Sequence, residues 1–310
     1  MRELRVSVIG VGLVGRTYAY TLLREPYVTE MDLVDIIPDL GDALRQELKV
    51  VAASLGKNLE INAYEDPSPI SNSDLIIVAA GTPRKLGMSR RDLAVVNAKV
   101  MKDVAEKIVK NNPEAFFVVV TNPVDALAML FKKLSGAELV IGTGTFLDSI
   151  RLKLVLSEFT HVSVERISTL VIGEHGENMV PVLSSTMING VKFSEFLSDH
   201  PELSLDRALI KRGITSMGGN IIAKLGGTSF GPAACFRDIT KAILMDEMRI
   251  FPIAHNFVFE NREVFANWPF AIGRHRLEQV PLTLDSEETS EFKAAVESIR
   301  VTYEEALKNI

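Results

Sequence analysis

The chain has 310 residues, 47% of them apolar and 24% charged, a composition that suits a soluble globule long enough for two domains. Its formal charge of -6, with no long basic run, argues against nucleic acid as a partner, and its single Cys235 excludes an internal disulfide and leaves no cysteine cluster for a metal. No apolar run approaches the ~20 residues of a membrane span, and the opening MRELRVSVIG turns into a strand without signal-peptide architecture, so a cytoplasmic protein is expected.

In chain order the first half alternates short apolar runs with helical patterns. LRVSVIG, MDLVDI, LEINAY, LIIVAAG, FFVVVTN and ELVIG are candidate strands, several apolar on both faces, as required when helices cover both sides of a parallel sheet. The fold class expected is therefore α/β, with a doubly wound parallel sheet over residues 1–143. The first run ends in Gly10, Val11, Gly12, Leu13, Val14, Gly15 and passes into a helix, while Asp35 ends the second run twenty residues after Gly15. A GxGxxG at a strand-to-helix turn brings backbone close to a pyrophosphate and aims helix N–H groups at it. Asp35 would accept hydrogen bonds from ribose hydroxyls and repel a 2′-phosphate, which favours NAD over NADP.

The fourth run opens into GTPRKLGMSRRDL, where Arg84 and Arg90 stand six residues apart. Charged loops are commonly just solvated, but ligands of open α/β sheets sit beyond the carboxyl ends of the strands, where this loop begins. A helix follows, with Leu93, Val96, Val100, Val104 and Ile108 on one face before Asn111, Asn112 and Pro113 stop it. Asn122, after the fifth run in VVVTNPVD, stands at the same edge; its amide can serve nicotinamide ribose or substrate, or it is simply a turn residue.

From residue 144 the pattern becomes α+β. TFLDSIRLKLVLSEF reads as a helix with Asp148 and Arg151 three apart on one face, locally an ordinary salt bridge. Two β-type runs flank GEHG, and Asn189–Gly190 signals a hairpin. His175, alone among five histidines in being flanked by glycines in this way, would on its own be more often structural than catalytic. Helical patterns follow at about 203–225 and 232–248, then a final helix opening at Ser286 to Thr289.

Taken together, the Gly10–Gly12–Gly15 fingerprint, AAGTPRKLGMSRRDL, VTNPVD, GTGTFLDSIR and IGEHG resemble the NAD-dependent lactate/malate dehydrogenase family, in its order and spacing over the whole chain. RKxGMSR is most similar to the lactate-dehydrogenase-like malate dehydrogenases; lactate dehydrogenases usually carry Gln at the position of Arg84 and Glu at that of Met88. The resemblance implies that His175 transfers the proton, that Asp148 orients it, and that Arg90 assists catalysis from a mobile loop. It places substrate on Arg84, Arg90, Asn122, Arg151 and Thr228, although the small-residue run around Thr228 can equally be helix packing. It places NAD on Gly10, Val11, Gly12, Leu13, Val14, Gly15, Asp35, Gly81, Asn97, Val120 and Asn122. Malate or oxaloacetate is the expected substrate and a homotetramer, or a dimer, the expected assembly. A lactate or other 2-hydroxyacid dehydrogenase is the nearest alternative, and a catalytically silent NAD-binding scaffold the alternative from another class. The chain departs from the family pattern at ALRQEL near 43–48 and at GRHR, residues 273–276.

Overall fold

The computed structural model describes residues 3–83, 87–203 and 205–310. Its first half runs β1 (Arg5–Ile9), α1 (Leu13–Leu22), β2 (Glu30–Val34), α2 (Leu40–Ser54), β3 (Glu60–Tyr64), β4 (Leu75–Val78), α3 (Arg90–Ile108), β5 (Phe116–Val119), α4 (Val124–Ser135) and β6 (Val140–Gly142). These six strands are the six apolar runs of the sequence, all parallel, in the order β3-β2-β1-β4-β5-β6. Alternation of side chains explains why the runs are apolar throughout. Val6 and Val8 of β1 join the core beneath α1 and α2, whereas Ile9 joins the one beneath α3 and α4; Phe116 and Val118 of β5 divide from Phe117 and Val119 in the same way.

The second half continues with α5 (Phe146–Thr160), β7 (Ile167–Ser168), β8 (Val171–Gly173), β9 (Met179–Pro181), β10 (Met187–Ile188), β11 (Val191–Lys192), α6 (Phe193–Asp199), α7 (Arg207–Leu225), α8 (Phe230–Leu244), β12 (Arg249–Phe259), β13 (Arg262–Ile272), β14 (Leu277–Gln279) and α9 (Ser286–Lys308). The Asn189–Gly190 turn joins β10 to β11 with both residues at positive φ, 53° and 86°. A longer hairpin, β12–β13, pairs along its whole length around Glu260 and Asn261, at φ 47° and 63°. No element is expected over 249–285 from the sequence, because the turn lacks glycine and the strands are not cleanly alternating.

Three boundaries differ from the sequence expectations. The helix expected to reach 248 stops at Leu244, since Asp246 and Met248 adopt left-handed conformations at φ 52° and 51° that no helix continues through. The helix expected from 203 begins at Arg207, where Asp206 accepts the Leu209 N–H at 2.6 Å. The final helix is capped by Asp285 with Glu288 in a reciprocal capping box, so the cap lies one residue before Ser286.

Of the antiparallel strands, β7, β10 and β11 form a separate three-stranded sheet, but the others do not. β12 pairs with β6 at Ala254 and Gly142, and the order carries on through β13, β8 and β9, with β14 on β13, into one sheet of 11 strands among the described residues. Ile172, Ile253, Trp268 and Phe292 accordingly belong to the same core as Val6 and Tyr18. The GRHR turn helps to tie the halves: Gly273 donates to the Arg276 carbonyl at 3.0 Å, and Arg274 reaches Asp74, before β4, at 3.4 Å. A third core, under α5 and α7, holds Leu152, Leu156, Ile210 and Ile214. Among the described residues, no helix is long and apolar enough to cross a membrane.

Candidate active site

Parallel strands end together, so the turns after β1, β4 and β5 lie along one edge of the sheet. At the first of these turns Gly10 has φ +93°, and a Cβ there would stand 2.5 Å from the backbone nitrogen of Ala80. A Cβ on Gly15 would run into the Gly10 carbonyl oxygen, so α1 can start only if both positions lack a side chain. Gly12 is different: a Cβ there meets nothing within 4 Å. The glycine that protein packing does not require faces open space at the N-terminal end of α1, which has no side-chain cap. That is the arrangement a pyrophosphate fits.

Around this turn Val11 is buried, Val14 is partly buried against the core and Leu13 is 40% exposed. Asp35 accepts the Val11 N–H at 2.9 Å and the Ile37 N–H at 3.1 Å, which fixes its carboxylate at the end of β2 beside the glycines. Each carboxylate oxygen retains a further lone pair for a ribose hydroxyl. Asn97, 1% exposed, accepts the Thr82 N–H at 2.8 Å and donates to the carbonyls of Thr82 and Asn122. Its amide thus binds the loops after β4 and β5 to each other. Gly81 completes this joint, since a Cβ there would stand 2.5 Å from Thr121 Cγ2. Val120 donates to the Val78 carbonyl at 2.9 Å, and Asn122 is exposed at the same edge. From the other half, the α7–α8 connection bearing the partly buried Thr228 crosses α1, with a Cβ on Gly227 only 2.6 Å from Leu13 Cδ2. Arg84 lies outside the described residues.

His175 follows β8, and Asp148 occupies the first turn of α5. The His175 Nδ1 and Asp148 Oδ2 are 2.7 Å apart, with the Asp148 side chain wholly buried and 23% of the His175 side chain exposed. A carboxylate only accepts, so Nδ1 carries the hydrogen and Nε2 is left to exchange a proton. Burial works against a charged imidazole, but Asp148 outweighs it, with a smaller push from Asp125 and a smaller opposing one from Arg90; the net proton affinity is raised above the ordinary histidine value. Arg151, one helical turn beyond Asp148, donates to its Oδ1 at 3.3 Å, while its guanidinium lies against Gly218 of α7. A guanidinium has more donors than that one bond uses.

Arg90 is the first residue of α3, behind a Ser89–Asp92 capping box, and donates to the His175 carbonyl at 2.9 Å. Gly176, at φ +123°, admits this contact, because a Cβ there would collide with the guanidinium. The structure thus brings His175, Asp148, Arg151 and Arg90 together from α3, α5 and the β8–β9 loop. Two further residues join them that the sequence reading passed over. Asp125 accepts the His175 backbone N–H at 2.7 Å, and Asn267 of β13 donates to Asp125 at 2.8 Å. The available signal was polarity inside an apolar context: Asp125 in the helix start VDALAML, and Asn267 in the strand VFANWPF. Among the described residues, no group of histidine, cysteine or carboxylate side chains could hold a metal ion.

The glycine-rich turn, the acid at the end of β2 and a histidine–aspartate pair at the edge of the same sheet define an NAD-dependent oxidoreductase architecture. Residues 4–140 match the family description "lactate/malate dehydrogenase, NAD binding domain", and residues 145–310 match its "alpha/beta C-terminal domain". The chain belongs to the lactate/malate dehydrogenase family, and its cofactor is NAD. It is 32% identical over 306 residues to the malate dehydrogenase of Sulfurisphaera tokodaii, covering 99% of this chain and 97% of that one. It is also 32% identical over 313 residues to L-lactate dehydrogenase 1 of Lactobacillus johnsonii, covering 98% and 95%. Among solved structures, the malate dehydrogenase of Archaeoglobus fulgidus in complex with NADH superposes with a TM-score of 0.86 at 32% identity, covering 98% of this chain and 99% of that one.

Proposed function

We propose that this dehydrogenase interconverts (S)-malate and oxaloacetate, with residues 1–143 as its NAD-binding half and 144–310 as its substrate half. The observation that carries the chemistry is the His175–Asp148 contact of 2.7 Å beside Arg151. NAD, when bound, supplies the acceptor for the hydride leaving C2. His175 Nε2 takes the hydroxyl proton, and Asp148 holds the ring in the required tautomer while favouring the imidazolium that forms. Arg151 grips the C1 carboxylate through paired hydrogen bonds, and Arg90 polarises the C2 oxygen. Asn122 and Thr228 flank substrate and nicotinamide.

The choice of malate rests on the sequence at Arg84, which pairs with the second substrate carboxylate. Pyruvate would leave that guanidinium unpaired and desolvated, at a cost of roughly 3 to 5 kcal/mol. The apolar Met88 in the same loop puts no negative charge there to repel a dicarboxylate. The similarity to a lactate dehydrogenase keeps L-lactate, or another 2-hydroxy acid, as the second reading. Steady-state NADH oxidation with oxaloacetate and with pyruvate, in wild type and Arg84→Gln, separates them. Oxaloacetate is expected to be favoured by more than about a hundredfold, with the substitution eroding that preference; equal or better use of pyruvate by the wild type rules malate out. The same reading makes the enzyme a cytoplasmic homotetramer, or a dimer, which native mass spectrometry distinguishes.

A further inference from the structure

We propose that Asp125 is a positioning residue for His175: it holds the histidine's backbone where Asp148 holds its ring, and keeps a second negative charge near the imidazole that favours the protonated form. This rests on the proton-relay reading of His175. Asp125 is 3% exposed, and both its oxygens are engaged, Oδ2 by the His175 N–H at 2.7 Å and Oδ1 by the Asn267 amide at 2.8 Å. Asn267, wholly buried, donates also to the Gly173 carbonyl at 2.8 Å and accepts the Thr145 N–H at 3.1 Å. Thr145 is the N-cap residue of α5, three positions before Asp148. One buried network therefore sets the loop that carries His175 and the helix start that carries its ring partner.

The choice of residue type is informative. An asparagine at 125 offers one acceptor oxygen and would turn its NH2 against the other donor, so the two bonds call for a carboxylate, whose buried charge is costly unless it is used. The groups that face Asp125 are Glu174 and His175 from the β8–β9 loop and the neutral Asn267 from β13, while His175 itself meets Asp148 of α5, which Arg151 also contacts, and Arg90 of α3. Burial pushes the Asp125 carboxyl up to about 6, against the pull of His175 and its own hydrogen bonds, with Glu174 adding to the rise. The charges of Asp125 and His175 therefore favour one another, and the two groups titrate as a coupled pair.

The test is the pH dependence of kcat/KM in both directions for the wild type, Asp125→Asn and Asn267→Ser, with whichever 2-hydroxy acid the wild type turns over. Oxidation needs neutral His175 and reduction needs its protonated form. Asp125→Asn is therefore expected to move both midpoints to lower pH by about half a unit to one unit. Reduction above the midpoint would fall up to about tenfold, while oxidation below it would rise. Asn267→Ser, which withdraws one donor from Asp125 and so weakens its ionised form, moves the midpoints the same way by less. Unmoved midpoints beside an altered kcat leave Asp125 a structural residue and overturn the proposal. A wild-type profile flat between about pH 5 and 9 instead overturns the relay reading of His175. If neither variant folds, titration of the His175 ring nitrogens by NMR in the wild-type enzyme decides: a second inflection below the main one supports the coupling, and a single-proton curve refutes it.

Discussion

The glycine-rich edge and the junction around His175 lie on one sheet but are built by opposite means. At the edge the working feature is the omission of side chains: Gly10 and Gly15 let backbone meet backbone, and Gly12 leaves space. At the junction it is the burial of polar ones: Asp125, Asp148 and Asn267 are each no more than 3% exposed and are joined by hydrogen bonds that fix His175. The first design fails when atoms are added. The second fails when charge or donors are taken away.

The largest effect is expected at the junction. Asp148→Asn preserves shape but permits the wrong imidazole tautomer, and kcat should fall by about 10³ to 10⁴ with NADH affinity kept. Loss of less than about tenfold would show that the pair is not the proton relay; fluorescence binding and single-turnover rates measure the two quantities.

Next in size is a contrast within the edge itself. Gly15→Ala drives a Cβ into the Gly10 carbonyl and should cost on the order of 3 kcal/mol or more of stability. Gly12→Ala adds its methyl to open space and should leave stability within about 1 kcal/mol, while weakening NADH binding roughly tenfold or more. Denaturant melts and NADH titrations of both variants check this. Equal destabilisation would mean that Gly12 serves packing rather than ligand approach.

The smallest effect tests burial away from both regions. His255 donates through Nδ1 to the Val140 carbonyl at 2.9 Å, and burial lowers its pKa to about 4. A base whose folded pKa lies below its unfolded value binds its proton more readily when unfolded. Its contribution is present above about pH 6.5 and is lost as pH falls toward 4. The stability difference between wild type and His255→Gln should therefore shrink by about 2 kcal/mol between neutral pH and pH 4 in urea melts. A pH-independent difference would contradict it.

Much of the glycine-rich edge was legible in the sequence because its determinants are local. Strand, glycine turn and helix follow within a dozen residues, and an acid closes the next strand, so spacing alone specifies which atoms meet. The Asp148–Arg151 ion pair was legible for the same reason, being one helical turn apart. The β12–β13 hairpin was not: its turn is Glu260–Asn261, whose left-handed conformations the residue names advertise weakly.

By itself, then, the sequence determined the parallel α/β half, the glycine-rich turn with Asp35, and the motifs that place the chain in its family. Only the tertiary structure decided that β6 continues into β12 as one sheet, that Asn97 joins two loops, and that Asp125 and Asn267 stand behind His175. The physical reason is range. Short-period patterns encode which face of an element is buried, whereas a hydrogen bond between residues 142 positions apart, as from Asn267 to Asp125, exists only once hydrophobic packing has set the two elements side by side.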